Sequence, residues 1–448
     1  MRVLLVSTYE LGHQPLHVAS PAAALTQAGH DVDCMDISVE DWDPQRVERA
    51  DAVAFSVPMH TAMRLAVAAA GTVKRRRPAM PVAFYGLYAL VSRDRTLGPL
   101  ADRLIAGEYE GELVSWLDEV ASSKRPPEPR AVVNLEREAK LLPVRDALPP
   151  LDRYAHLDHG DRHVPAGYVE ATHGCAYHCK HCPVPTIYDG RTRRVPLEVI
   201  LSDIERQVAA GAQHITFGDP DFLNRFRYAI EVVEAVHEGF PDLTYDVTTK
   251  VEHVLKHRDL LPDLARTGCL FAVSAFETTN DRILEILDKG HTSDEMAHAV
   301  GLLREHGIEP RPSWMPFSPW TTLQDLVDIL DFVVRHDLVD NVDPVQYSIR
   351  LLVPEGSLLL DSPAMQRHLG AYDAERLTYT WTPADAETDR VQRELAALVE
   401  RDAEAEASGV ETFLRIRELV WDAAGVQREA IPVGSTEGRP RLTEPWFC

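Results

Sequence analysis

Residues 171–182 read ATHGCAYHCKHC, and the thiols in that run, Cys175, Cys179 and Cys182, are spaced CxxxCxxC with no fourth cysteine nearby. Three thiolates hold a cubane iron–sulfur cluster at three of its four irons and leave one iron open to a substrate or cofactor, whereas electron-transfer clusters are usually closed by a fourth ligand. Zinc is the alternative, because His178 and His181 interleave with the thiols and a Cys3His tetrahedron is a common structural site. All five side chains lie in one short loop, however, with no second knuckle to complete a finger.

The elements that must position this loop follow from the pattern of apolar residues. The run closes an apolar stretch, GYVEATH (167–173), and four further strand-like segments follow at HITFGDP (214–220), LTYDVTTK (243–250), LFAVSAFE (270–277) and IEPRPSWMPF (308–317), with a last one at PVQYSIRLLV (344–353). Amphipathic stretches such as PLEVILSDIERQVAAG separate them. Six strand–helix units predict a partial (β/α)6 barrel over 166–355, whose chemistry sits at the C-terminal ends of its strands. The cysteine run lies at one of those ends.

Residues 1–121 alternate in the same way through RVLLVST (2–8), HDVDCMDI (30–37), DAVAFSVP (51–58) and PVAFYGLYA (81–89). That predicts a second α/β unit, a doubly wound, Rossmann-like sheet whose ligand loops are STYELGHQP, SVPMHTA and YGLYA. Residues 122–165, rich in Pro, Arg, Glu and Asp and without periodicity, read as a linker. Residues 356–448 read as an acidic helical extension with i,i+4 charge pairs, ending VGSTEGRPRLTEPWFC.

The net charge of −24 over 448 residues repels phosphate backbones and anionic lipid, so neither nucleic acid nor a membrane is an expected partner. KRRR at 74–77 precedes Pro78 and reads as a helix C-terminal cap. No apolar run approaches the roughly 20 residues that span a bilayer, and the start lacks a signal-peptide pattern, which predicts a cytoplasmic protein. Cys34 and Cys269 read as small core fillers.

GCAYHCKHC on the first strand-loop of a partial barrel resembles the CxxxCxxC signature of the radical S-adenosylmethionine (radical SAM) enzymes. The resemblance implies a 4Fe-4S cluster on Cys175, Cys179 and Cys182, with the amino and carboxylate groups of SAM on the open iron. It also implies a small-molecule substrate and a reductant protein such as flavodoxin or ferredoxin. HITFGDPDF stands where the family's Gly-rich motif meets the SAM amino group, so Asp219 and Asp221 are candidates, against a structural reading of GDPD as a turn. His181, before the last cysteine, is a candidate for the adenine side. FETTNDRILEILDKGHT (276–292) resembles the subgroup with an N-terminal cobalamin-binding-type domain, as does RLIAGEYEGELVSWLDEV (103–120), and Glu277 is expected to point into the barrel mouth. Arg311 either pairs with a carboxylate of SAM or substrate or forms an ordinary salt bridge.

Cobalamin is therefore a candidate cofactor, although the DxHxxG signature of an axial histidine is absent: His13 in ELGHQP and His60 in PMHTA lack its flanking residues. TEPWFC resembles the tail of a radical SAM group named for a terminal Cys-Cys or Cys-selenocysteine followed by Ala-Glu-Pro. On that resemblance Cys448 is a candidate catalytic thiol and the chain stops at a selenocysteine codon. The expected reaction is transfer of a SAM-derived group, either methyl through cobalamin or 3-amino-3-carboxypropyl directly. The alternatives are a radical rearrangement or oxidation, or a non-catalytic metal-binding protein.

Overall fold

The computed structural model describes residues 1–122, 128–426 and 438–444. Six strands, β1 (Arg2–Ser7), β2 (Asp31–Asp36), β3 (Ala52–Ser56), β4 (Val82–Tyr85), β5 (Arg103–Gly107) and β6 (Arg130–Asn134), form a parallel sheet in the order β2-β1-β3-β4-β5-β6. Successive side chains in a strand point to opposite faces, and both faces here are covered by helices. Leu4, Val6, Phe55 and Phe84 fill one core, while Val3, Leu5, Ala54, Tyr85 and Trp116 fill the other. That is why these strands read as continuous apolar runs. The order reverses between β1 and β3, so the ligand crevice of a doubly wound sheet falls at their C-terminal ends.

The 122–165 segment is more than a linker. Its β6 pairs with β5 from Arg130 to Asn134, and its far end forms β7 (His156–His159), which makes a hairpin with β8 (Arg162–Val169). Val132 and Val133 are too few apolar residues to stand out between charged neighbours, and only the exposed edge of β5 recruits them.

A small hairpin, β9 (Thr172–Gly174) with β10 (Thr192–Arg194), brackets the cysteine loop. The second sheet continues through β11 (His214–Phe217), β12 (Thr244–Thr248), β13 (Cys269–Glu277) and β14 (Glu309–Trp314). With β8 these make five parallel strands of a curled half-barrel, and the sheet order is β14-β13-β12-β11-β8-β7 followed by a last strand from the chain's end. The expected sixth strand is not a ladder. Pro344–Ser348 is a 3-10 turn, and Arg350 makes only an isolated bridge to Phe317. Pro344 lacks an N–H to pair, and Tyr347 turns into the helical core against Phe413, 5.5 Å between ring centroids.

The region after 355 is only partly helical. The hairpin β15 (Leu369–Asp373) with β16 (Thr378–Trp381) reaches the first sheet, where Leu377 joins the core beside Phe84 and Tyr372 bonds Ser92. The helices Ala386–Glu404 and Gly409–Ala424 cover the barrel, the second opened by a Ser408–Glu411 capping box. The final strand, β17 (Arg441–Leu442), pairs antiparallel with β7, while the Pro440 carbonyl accepts from Arg311 on β14 at the opposite edge. Residues 438–444 thus close the curl.

KRRR behaves as a cap: it ends the helix His60–Arg76, and Arg77 donates to the carbonyls of Val47, Glu48 and Ala50. Cys34 and Cys269 are buried core thiols, and burial pushes Cys34 up to about 12. Among the described residues no helix is long and apolar enough to cross a membrane.

Candidate cluster and cofactor site

Gly174 ends β9 with φ of +76°, and a Cβ there would lie 2.3 Å from the Arg191 carbonyl oxygen. Only glycine lets the chain turn into the cysteine loop at this point. Beyond it Cys175 packs with Val184, Ile187 and Tyr188 of the following helix, Val184–Tyr188, and with Ala106 of β5. Leu87 and Leu90, from the loop after β4, pack on the same cluster. The loop at the barrel mouth is therefore seated on the C-terminal edge of the first sheet.

The Cys175 sulfur accepts from Asn224 Nδ2 at 3.2 Å, and the Lys180 N–H is held by the Leu287 carbonyl at 2.9 Å. Burial raises the Cys175 thiol and pushes Cys182 up to about 12, so these groups become ligands only with a cationic metal to stabilise the thiolates. The histidines do not complete a zinc tetrahedron. His178 Nε2 faces Asp189 at 3.3 Å in solvent, and His181 Nε2 faces Glu277 Oε1 at 3.0 Å. Among the described residues no three His, Cys, Asp or Glu side chains converge on a single ion. That holds for the three thiols as they stand too, so it is their number and CxxxCxxC spacing that fit a cluster open at one iron.

Glu277 ends β13 in a left-handed conformation, φ +65°, at a break in register with β14, the kind of strain that persists where surrounding contacts enforce it. Its Oε1 accepts from His181 and from Lys289 Nζ, both at 3.0 Å. Burial alone would raise this carboxyl, but Lys289 and His181 hold it well below the usual carboxylate range. Burial alone would lower Lys289, but Glu277 first, and then Cys179 and Cys182, raise it. Sequence reasoning missed Lys289, because it stands twelve positions after Glu277, beyond the helix Asp281–Leu287, and no spacing rule pairs them.

Asp219 and Asp221 are both buried; both oxygens of Asp219 accept from the protein, whereas Asp221 Oδ2 is buried without a hydrogen-bond partner. Asp219 accepts from the Ala171 N–H at 2.9 Å and the Thr172 hydroxyl at 2.5 Å, and burial raises its carboxyl to about 7. It thereby fixes the strand that leads into the loop. Asp221 accepts from Thr249 and lies 2.8 Å from His253 Nδ1, whose Nε2 meets the Tyr177 hydroxyl at 2.8 Å. Tyr177 belongs to the cysteine loop, and Lys250 Nζ sits over its ring at 3.5 Å. Tyr177, His253 and Asn224 are further residues visible only in three dimensions.

Arg311 does not stand free to meet a ligand. Its guanidinium faces Asp343 at 3.4 Å and the Pro440 carbonyl at 3.3 Å, so the salt-bridge reading is the one its geometry matches. Between the mouth and this layer, the inner face carries Thr248, Val273, Ala275 and Ser313, all half-buried although three sit in central strands. A Cβ on Gly218 would lie 1.9 Å from the Tyr168 hydroxyl. This face is small-residued and open, which fits a ligand of SAM's kind.

The first sheet's C-terminal edge offers Pro58, Met59, Leu87, Tyr88 and Leu90, all half-buried. His60 lies among them, its ring edge-on to Tyr88 and its Nε2 buried without a hydrogen-bond partner. An apolar edge with the orphaned His60 nitrogen fits the face of a large macrocycle such as a corrin, whose polar groups lie on its rim. His13 is buried against Tyr168, centroids 4.7 Å apart, and burial lowers it to about 4. Cys448 lies outside the described residues; the last described residue, Glu444, accepts from the Tyr9 hydroxyl at 3.1 Å beside the β1 loop.

Between the two sheets runs a seam of buried charge. His17 Nε2 meets Glu170 at 3.3 Å and Glu10 at 3.8 Å, and its Nδ1 meets the Tyr109 hydroxyl at 2.6 Å. Lys140 bridges Glu108 at 2.7 Å and Glu110 at 3.0 Å. His17, Tyr109, Glu110, Lys140 and Glu170 line a cavity of about 30 Å³, room for a water or two.

Residues 169–333 match the family described as the Radical SAM superfamily. An uncharacterized methyltransferase of Pyrococcus horikoshii is 23% identical over 262 residues, 58% of this chain and 54% of that protein. The hopanoid C-3 methylase of Methylococcus capsulatus is 24% identical over 67% of this chain and 62% of its own. The chain thus spans little more than half the length of these curated relatives. In structure it is similar to the cobalamin-dependent S-adenosylmethionine radical enzyme OxsB, with a TM-score of 0.67 over 90% of this chain and 67% of that one at 14% identity. It is also similar to the radical S-adenosylmethionine methyltransferase TsrM of Kitasatospora setae, TM-score 0.55 over 75% of this chain and 70% of that one at 16% identity. These likenesses show the fold: a doubly wound sheet joined to a curled half-barrel.

Proposed function

Residues 169–333 are a radical SAM domain, and from that premise we propose that the protein transfers a methyl group from SAM, by way of cobalamin, to a small molecule. The observation that carries this reading is the seating of the cysteine loop on the first sheet, where Cys175 shares a cluster with Ala106, Leu87 and Leu90. Ligands of a doubly wound sheet lie at its C-terminal edge, so a corrin in that crevice faces SAM at the barrel mouth. Both relatives quoted above are named as methyltransferases or methylases, which supports the same reading.

A 4Fe-4S cluster supplies the electron that cleaves a carbon–sulfur bond of SAM, and cobalamin supplies the methyl carrier. The chain's own residues bind and orient. Cys175, Cys179 and Cys182 hold the cluster, Glu277 and Lys289 fix the mouth around it, and His181 lies on the adenine side. Asp219 and Asp221 act by setting the loop rather than by touching SAM, and Pro58, Met59, Leu87 and Tyr88 shield the corrin face from water. The electron comes from a reductant protein of the flavodoxin or ferredoxin class.

Anaerobic reconstitution with iron, sulfide and hydroxocobalamin tests the proposal. The expected result is corrin absorbance that survives gel filtration, S-adenosylhomocysteine from the SAM that gives up its methyl, and 5′-deoxyadenosine with methionine from the SAM that is cleaved by reduction, both formed with the methylated product. A protein that takes up the cluster but no corrin would sink the cobalamin route. A second reading, aminocarboxypropyl transfer to a thiol-held substrate, rests on the resemblance of TEPWFC, with its Cys448, to a thiol-bearing tail. Cys448→Ser abolishes activity on that reading and leaves it intact on the first.

A further inference from the structure

We infer that Glu108, on the first sheet, is a positioning residue for the cysteine loop: its carboxylate braces the strand that enters the loop to the helix that leaves it. The inference rests on the reading of the three cysteines as cluster ligands.

Glu108 follows Gly107, whose φ is +85° and whose added Cβ would lie 2.1 Å from the Asn134 carbonyl oxygen of β6. The chain turns there only as glycine, and the turn sends the next side chain out of the first sheet toward the barrel. Glu108 is 1% exposed. Its Oε1 accepts from His173 Nδ1 at 3.2 Å and from the Tyr188 hydroxyl at 3.0 Å. Its Oε2 lies 3.2 Å from the same His173 nitrogen and 2.7 Å from Lys140 Nζ.

His173 sits in β9, two residues before Cys175, and Tyr188 ends the helix that follows Cys182. One carboxylate therefore grips both flanks of the loop without touching a thiol. Few backbone bonds are available for the loop to hold itself: the Cys182 N–H reaches the Cys179 carbonyl at 3.1 Å, and Lys180 leans on Leu287. Lys140 and His173 outweigh the burial that would raise Glu108 and hold it well below the usual carboxylate range. Bonds to an ionised, water-excluded acceptor are shorter and stronger than neutral ones. The remaining His173 nitrogen, Nε2, meets Glu170 of the barrel at 3.3 Å, so the brace spans both sheets.

The test uses the full chain. Amide exchange over 172–188 is measured in cluster-free protein, and the EPR spectrum and midpoint potential of the reduced cluster are measured after loading, for Glu108→Ala, Glu108→Gln and Tyr188→Phe. Glu108→Ala is expected to speed exchange over 172–188 by about tenfold or more, the consequence of losing hydrogen bonds to a charged acceptor, and to change the EPR line shape. Glu108→Gln, which keeps the shape, is expected to fall between it and wild type. Tyr188→Phe removes only the arm to the helix, so it loosens 184–188 and decides the matter alone if Glu108→Ala does not fold. Wild-type exchange and an unchanged EPR spectrum in a loaded Glu108→Ala protein would overturn the brace. Wild-type protein that binds no iron would instead overturn the reading of the three cysteines.

Discussion

The two parallel sheets meet at their C-terminal edges, and those edges are built from opposite materials. The barrel edge is charged and densely paired, although Asp221 Oδ2 and His181 Nδ1 are buried without hydrogen-bond partners: Glu277 is shared between Lys289 and His181, Asp219 holds 171–172, and Asp221 accepts from Thr249 with His253 2.8 Å away. The first sheet's edge is apolar and loosely covered, with Pro58, Met59, Leu87, Tyr88 and Leu90 half-buried around His60. A site for a compact, charged cofactor must be preorganised, because its groups act in a dry, low-dielectric place where misplacement is costly. A site for a broad, weakly polar one needs area and shape, as apolar pockets with few placed polar groups provide.

That contrast can be broken at its strongest point. Cys179→Ala is expected to abolish iron and sulfide incorporation and SAM cleavage while leaving hydroxocobalamin uptake within about twofold, as for independent sites. Loss of both ligands, read by metal analysis and corrin absorbance, would show one edge depending on the other. Lys289→Met is the next largest: it strands Glu277 in a buried place with His181 as its remaining hydrogen-bond partner, and breaking such a pair costs about 3–5 kcal/mol. Thermal unfolding and SAM turnover both fall, and Lys289→Met combined with Glu277→Gln recovers the stability but not the turnover.

The seam between the edges responds to pH. Burial alone would lower His17, but Glu10 and Glu170 hold it up to about 9 from its ordinary 6.5. The stability it contributes is therefore complete below 6.5 and lost as the pH rises through 9. Melting temperature is expected to drop by a few degrees across that window in wild type and by less in His17→Phe, as followed by calorimetry. The smallest effect belongs to Arg311→Lys. With its guanidinium directed at Asp343 and Pro440, the KM for SAM is expected to stay within about twofold, while a tenfold rise would restore Arg311 to the site.

Much of this architecture was legible beforehand because burial writes itself into strands. The four strands from β1 to β4 and, in the half-barrel, β11, β12 and β14 lie inside apolar runs, β13 begins one residue before its run, and the CxxxCxxC spacing marks its own loop; GYVEATH instead divides between the end of β8, which starts five residues earlier at Arg162, and β9. What escaped were elements whose pairing comes from elsewhere. β6 is a short, polar-flanked strand that exists because β5 has an open edge, and β17 is two residues held by β7. PVQYSIRLLV has a strand's composition, yet Pro344 and the pull of Phe413 on Tyr347 make it a turn.

The candidate site divides along the same line. Cys175, Cys179, Cys182 and the left-handed glycine before them are local, fixed by spacing and backbone geometry within one loop, and the sequence by itself determined them. The loop's partners come from distant positions: Glu108 from the first sheet, Lys289 beyond the next helix, His253 and Asn224 from neighbouring strand-loops. Charge pairing has no period along a chain; it is decided by which strands lie side by side. Only the tertiary structure could show that Asp219 bonds the strand entering the loop, that Asp221 lies between Thr249 and His253, and that Arg311 faces Asp343 and Pro440.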